Sequence, residues 1–207
     1  WPVDMRLRPS GNAGPAAVSL DAFVRYYEQS AWTWEMMALT KADVVWGERE
    51  VLGGEIEKCL RRSRNPETLA ADVAGMRLKI KNQTRVRCAR DSIKYGDGGM
   101  IDIEFSAQYL QLRHAGHYPE LLRKAVVPVL EKAADAGLIE QERARNLIAA
   151  YRLWTLLSAV FSLCGDDVEK EWDDISAPTV RLLCRMSGAA DKAALLEKIE
   201  QTAKTAA

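Results

Sequence analysis

Trp1-Pro-Val-Asp-Met-Arg-Leu-Arg-Pro-Ser-Gly-Asn-Ala-Gly-Pro15 opens the chain, and the change of pattern at its end decides the fold class. From Val3 to Arg8 apolar and charged residues alternate strictly, the period of a strand with one buried face. Val3, Met5 and Leu7 then face a core, while Asp4, Arg6 and Arg8 share the opposite face. One carboxylate flanked by guanidiniums suits a metal-bound polyphosphate, because the acid holds the cation and each Arg forks onto phosphate oxygens. An edge strand with a solvated charged face fits the same spacing. Pro9 removes a backbone donor and ends the strand, and Ser10-Gly11-Asn12 makes a tight polar loop.

A strand cannot pair with itself, and the chain begins with neither an initiator Met nor a lead-in. Residues 1–18 are therefore expected to be the C-terminal end of a domain whose earlier part lies outside this sequence. After Pro15 the strand signals stop. Ser19 is an N-cap for a helix carrying Leu20, Phe23 and Tyr27 on one face. Trp32, Met36 and Leu39 continue the apolar stripe, and Glu48 to Arg64 is a further helix stopped by Asn65-Pro66. A long helix is expected from about Glu67 to Arg90, another over Met100 to His114, one from Glu120 to about Ala136 and one over Glu140 to Cys164. Two short helices follow, split near Ser187-Gly188. Residues 19–207 read as an all-α, up-and-down helical domain with a possible sub-boundary near 115–119.

Equal counts of Lys plus Arg and of Asp plus Glu, 29 each, give no general pull toward nucleic acid or an anionic membrane. Cys59, Cys88, Cys164 and Cys184 form no CxxC pair, which argues for a reducing cytoplasm and against a disulfide framework. The apolar run Leu153 to Cys164 is too short to span a bilayer and reads as a buried helix.

Lys94-Tyr-Gly-Asp-Gly-Gly99 is the strongest loop signal. Its glycines could cradle a phosphate at a helix N-terminus, with help from Lys94. Asp97, Asp102 and Glu104 crowd the same helix start with negative charge, which favours a structural and orienting role. Six basic residues and no acid lie between Arg77 and Arg90, without the interleaved aromatics that stack single strands. That run is a solvated helix face or a contact for phosphate or an acidic protein. His114 and His117 have the spacing of a metal pair but lack a third ligand beyond Glu120, so surface histidines at a turn fit better. Trp32 and Trp34, with Glu35, could stack a base, but Trp at helical spacing reads as core.

Three ordered motifs carry a resemblance: Val3-Asp-Met-Arg-Leu-Arg-Pro-Ser-Gly11; Ala31-Trp-Thr-Trp-Glu35 with Ala38-Leu-Thr-Lys-Ala42; and Lys94-Tyr-Gly-Asp-Gly-Gly-Met-Ile-Asp-Ile-Glu-Phe105 with Gln108-Tyr-Leu110. Together they resemble the glutamine synthetase adenylyltransferases, bifunctional bacterial enzymes that add AMP to glutamine synthetase and remove it. Each half of such an enzyme joins a polymerase-β-like nucleotidyltransferase domain to a helical domain. The resemblance implies a mainly α chain in which the last β-strand of that catalytic domain (1–18) precedes a helical bundle (19–207).

It further implies Asp4 as the third metal-binding and catalytic carboxylate, since the earlier Asp-x-Asp pair is not in this sequence. Arg6, Arg8, Ser10, Gly11 and Lys94 are implied as nucleotide-binding groups, with Asp102 and Glu104 supporting them from behind. Mg²⁺ and ATP are the implied cofactor and substrate, and glutamine synthetase and the PII signal protein the implied partners, with no nucleic acid and no membrane. A tyrosine hydroxyl of glutamine synthetase would attack the α-phosphorus and expel pyrophosphate; the paired half would remove AMP by phosphorolysis. Trp32-Thr-Trp34-Glu35 and Arg8-Pro-Ser-Gly11 resemble the transferase half. With one carboxylate, the 207 residues alone are expected to be inactive. The alternative is a helical docking module that uses the Arg77–Arg90 face without catalysis. Met36, Asp43 and the stretch Ser158–Cys164 depart from the family pattern.

Overall fold

The computed structural model describes residues 8–164 and 170–207. The strand expected over Val3 to Arg8 lies outside these residues except for Arg8, as do Asp4 and Arg6. Among the described residues there is no strand. Their α-helices are α1 (Leu20–Gln29), α2 (Thr33–Leu39), α3 (Arg49–Leu60), α4 (Pro66–Gln83), α5 (Ala89–Tyr95), α6 (Met100–His114), α7 (Val126–Asp135), α8 (Gln141–Cys164), α9 (Ala177–Ser187) and α10 (Lys192–Ala206). The chain divides into two compact units, Trp1–Met76 with Ala107–Val129 and Arg77–Ser106 with Leu130–Ala207.

In the first unit α3 packs against both α1 and α2. Ser19 starts α1 by accepting from the Ala22 amide at 3.3 Å, as its N-cap position requires. Tyr27, Met36, Met37, Leu39 and Leu60 are buried. Arg64 follows α3 and donates to the Leu60 carbonyl at 2.8 Å and the Cys59 carbonyl at 2.9 Å. Its guanidinium thus satisfies the acceptors that the end of α3 leaves open. It also reaches the Leu112 carbonyl at 3.4 Å.

The second unit is built on α8, which packs against α5, α9 and α10. Ile103, Trp154, Leu157, Phe161, Leu183 and Leu195 are sealed from solvent there. Asp191 caps α10 through the Ala194 amide at 2.8 Å. At the far end of α10, Arg143 donates to the carbonyls of Thr205, Ala206 and Ala207, a cation placed at the negative end of the helix dipole.

Three expectations need correction. The helix expected from Glu67 to Arg90 is two, because the ladder ends where the Thr84 amide bonds to Ile80 at 2.8 Å and Cys88 starts α5 with its own cap to Asp91. β-branched Thr84 and Val86 fall in the gap, where helical φ/ψ restricts their χ1. The helix expected from Glu120 is a 3-10 turn at Pro119–Leu121 followed by α7. The buried Gln111 amide nitrogen holds that break open by donating to the carbonyls of Leu121 and Arg123, at 2.9 and 2.8 Å.

Trp32 and Trp34 are not core: 71% and 43% of their surface stays exposed. The buried face of α2 is Glu35-Met36-Met37-Leu39, which turns both indoles outward. The helix expected over Glu140 to Cys164 is α8, Gln141–Cys164. At 24 residues with an 18-residue window of mean hydropathy 1.6, α8 is long and apolar enough to cross a membrane on length and composition alone. Its buried stripe, Leu147, Ala150, Trp154, Leu157 and Phe161, sits at three- and four-residue steps, the pattern of a core helix covered by its neighbours.

Candidate functional site

The loop at 8–14 and helices α1 to α3 enclose a cleft of about 770 Å³ in the first unit. Phe23, Tyr27, Leu39, Leu52 and Ile56 supply an apolar wall, and Arg8, Lys41, Asp43 and Glu48 supply its charges. Asp43 is engaged by Lys124 and by Arg49, the latter at 3.8 Å. The Lys124 ammonium beside it, aided by Arg49, holds the Asp43 carboxyl below the usual range. Among the described residues lining the cleft, Arg8 and Lys41 are the cations and Asp43 and Glu48 the acids. Lys41 belongs to the Ala38–Ala42 motif but spacing gave it no site role; its place in the same cleft lining as Arg8 depends on how α2 packs.

The loop that carries Arg8 is tightly determined. Its guanidinium Nε donates to the Gly11 carbonyl at 3.0 Å, and the Gly11 amide donates back to the Arg8 carbonyl at 2.8 Å. Ser10 has φ 61° and ψ 15°, the one left-handed residue other than glycine among the described residues. A non-glycine residue held there stores strain that its surroundings must offset, and such residues cluster at functional loops. Gly14 closes the turn so closely that a Cβ on it would lie 2.2 Å from the Pro9 carbonyl oxygen.

A half-buried polar pair links α1 to α2. The Tyr26 hydroxyl donates to Glu35 at 2.7 Å, and the other Glu35 oxygen accepts from the Trp32 amide at 2.9 Å, at the start of α2. Glu35 is 5% exposed. Burial, with the Glu35 carboxylate beside it, raises the Tyr26 phenol above its ordinary value, and the nearby Ser10 partly offsets this. Sequence reading missed Tyr26 as a site residue and considered Glu35 only beside Trp32 and Trp34. The available signal was Glu35 three residues after Trp32, the spacing at which an acid caps a helix start.

Lys94, Asp102 and Glu104 belong to the second unit. Lys94 is exposed, with its ammonium 5.0 Å from the Tyr95 ring centroid. Asp102 pairs with Arg77 and accepts from the Gly98 amide at 2.7 Å. Glu104 accepts from the Tyr151 hydroxyl at 3.3 Å. The glycines do not form an open cradle. Gly99 donates to the Gly96 carbonyl at 3.0 Å, Trp154 donates to the Gly98 carbonyl at 3.1 Å, and the Ala203 carbonyl covers Gly98 so closely that no Cβ fits. In the basic run Arg77 and Lys81 are engaged, Lys81 with Asp97 at 2.7 Å. Among the described residues no three His, Cys, Asp or Glu side chains gather to hold a metal.

Comparison with known proteins follows this geometry. Residues 1–57 match the family described as glutamate-ammonia ligase adenylyltransferase, and residues 74–207 match the family described as GlnD PII-uridylyltransferase. A bifunctional glutamine synthetase adenylyltransferase/adenylyl-removing enzyme of Bradyrhizobium diazoefficiens is 43% identical over 207 residues, covering 98% of this chain and 20% of that protein. Its namesake in Rhodopseudomonas palustris is 40% identical over 205 residues, again 98% of this chain and 20% of that protein. The Xanthobacter autotrophicus enzyme of the same name is 38% identical over 192 residues, 91% of this chain and 19% of its own length. The chain thus spans about a fifth of the length of the curated relatives it matches.

Proposed function

We propose, from the premise that the chain belongs to the glutamine synthetase adenylyltransferase family, that it forms one wall of a nucleotide site transferring AMP from ATP to a tyrosine of glutamine synthetase. The observation that carries this reading is the cleft: every residue lining it lies between Arg8 and Ile56, inside the stretch matched by the adenylyltransferase family. Arg8 and Lys41 meet the triphosphate, and the apolar wall keeps water from the reacting phosphorus. The tyrosine oxygen bonds to the α-phosphorus as the bond to pyrophosphate breaks. Arg8 and Lys41 offset the charge that gathers on the leaving pyrophosphate.

Asp4 is proposed as a catalytic, magnesium-binding carboxylate on the strength of its motif. Among the described residues no group of acids gathers to hold magnesium, and their proposed contribution is nucleotide binding and orientation. Arg6, Ser10 and Gly11 join Arg8 at the phosphates; Lys94 is proposed separately as a nucleotide-binding group of the second unit, with Asp102 and Glu104 supporting it from behind. The motif at Trp32–Glu35 supports the transferase half over the removing half. The four cysteines, none in a disulfide, support a cytoplasmic setting. The partners proposed are glutamine synthetase, which the relatives' names carry, and a PII protein, which the second family description names.

The test is Asp4→Asn in an enzyme carrying this segment, with AMP transfer and phosphorolytic removal assayed side by side. Loss of transfer with removal intact supports the reading. Loss of removal alone reverses the assignment of the half, and no change in either refutes a catalytic Asp4. The 207 residues alone are expected to transfer no AMP.

A further inference from the structure

The connection between α2 and α3 carries the most exposed large apolar side chains among the described residues. Val45 and Trp46 are 92% and 91% exposed. Their feet are nonetheless fixed. Val44 is buried, and its carbonyl accepts from the Arg49 guanidinium at 2.9 Å. Asp43 pairs with Lys124 and with Arg49. Gly47, at φ 91°, turns the chain back toward α3. A ring presented from fixed feet loses little entropy on binding, and exposed Trp side chains of this kind are the commonest anchors of protein interfaces.

Both feet stand on the cleft. Ala42 and Asp43 before the tip line it, and so does Glu48 after the tip. Val18, Leu20 and Val51 line it too and stay exposed themselves. A reaction that places AMP on a protein's tyrosine needs that protein seated at this rim, because the hydroxyl must come within bonding distance of the phosphorus. A bilayer is the poorer match. Asp43 and Glu48 flank the tip, with Glu50 beyond, and an anionic surface repels such acids. Arg49 is turned onto Val44 and Asp43 instead.

We propose that Val45 and Trp46 form the docking contact for the polypeptide substrate, seating glutamine synthetase at the rim so that its tyrosine enters the cleft. Neither side chain lines the cleft itself. The inference rests on the nucleotide-site reading for its partner, which the relatives' names carry.

The experiment compares Trp46→Ala and Val45→Ser with wild type in an enzyme carrying this segment. Both side chains are exposed, so melting temperatures should stay within about 2 °C of wild type. Trp46→Ala should weaken binding of glutamine synthetase, measured without ATP, about 10- to 30-fold, the scale of a lost anchor residue. KM for glutamine synthetase should rise in parallel while KM for ATP stays within about twofold. Val45→Ser should act in the same direction by a smaller factor. Amide exchange of the 42–48 peptide should slow when glutamine synthetase is added.

Unchanged binding in both variants overturns the docking role. A raised KM for ATP with unchanged binding overturns it as well, by making the tip a nucleotide contact. If the 42–48 peptide is already protected in the enzyme alone, relative to the 207-residue chain, the enzyme's own segments cover the tip and the proposal fails. It also fails if Trp46→Ala abolishes binding to phosphatidylserine vesicles and leaves binding to the synthetase intact. If the wild type transfers no AMP, the nucleotide reading fails, and the binding measurement still decides the tip.

Discussion

Arg77, the first of six basic residues in the run to Arg90, closes on the Asp102 carboxylate at the start of α6. The same guanidinium donates to the carbonyls of Tyr95 at 2.9 Å and Gly96 at 3.2 Å. One side chain therefore ties α4 to the turn after α5 and to the first turn of α6. Asp102 passes the restraint on by accepting from the Gly98 amide. Both side chains are largely shielded, at 15% and 25% exposure, so each would leave its partner poorly solvated if removed.

Arg77→Ala is expected to destabilise the chain by about 2–3 kcal/mol, the range for breaking a shielded, hydrogen-bonded ion pair. Thermal unfolding followed by circular dichroism measures it. A melting temperature within about 1 °C of wild type would show the pair to be superficial.

How much of this was legible beforehand depends on what each residue signals locally. Ser19 and the Ser187-Gly188 stop announce helix ends through short-range chemistry, and the structure follows them, whereas Asn65, read as the stop of a helix reaching Arg64, accepts from the Thr68 amide at the start of α4 and α3 ends at Leu60. The run Arg77 to Arg90 signals only charge. Its inward turn at Arg77 depends on an aspartate twenty-five residues away, and no local pattern encodes that distance. The exposed indoles of Trp32 and Trp34 fail for a related reason, because the packing partners of α2 settle which face is buried. At the candidate site, the Arg8 loop was visible as a motif. Lys41, Tyr26 and Glu35 join it only through the tertiary arrangement of α1 and α2.

Gly98→Ala should be at least as damaging as the loss of Arg77. The φ of 70° disfavours any side chain, and a Cβ would lie 2.0 Å from the Ala203 carbonyl oxygen of α10. A destabilisation of about 3 kcal/mol is expected from the strained backbone and the enforced shift of α10. The urea midpoint measures it, and a midpoint unchanged from wild type would mean that α10 does not cover this turn.

Stability should also fall in strong alkali. Burial raises the Tyr27 phenol to about 12, with Glu35, Tyr26 and Cys59 adding to the effect. The folded state then holds a proton that the unfolded chain releases above its ordinary value of 10.0. The resulting stabilisation is complete below pH 10.0 and is lost as pH rises toward about 12. Tyr27→Phe should flatten the fall of melting temperature across that window relative to wild type. Identical slopes in the two proteins would exclude Tyr27 as the source.

The central claim is that Arg8 and Lys41 act on one nucleotide in one cleft. The most direct measurement is a double-mutant cycle on KM for ATP in AMP transfer to glutamine synthetase, with Arg8→Ala, Lys41→Ala and the pair. Each single variant should raise KM about 10- to 100-fold, the scale of a charge-assisted contact to phosphate. The pair should fall short of the product of the two, because both cations act on the same polyphosphate. Singles that leave KM at its wild-type value, or effects that multiply fully, would contradict a shared site.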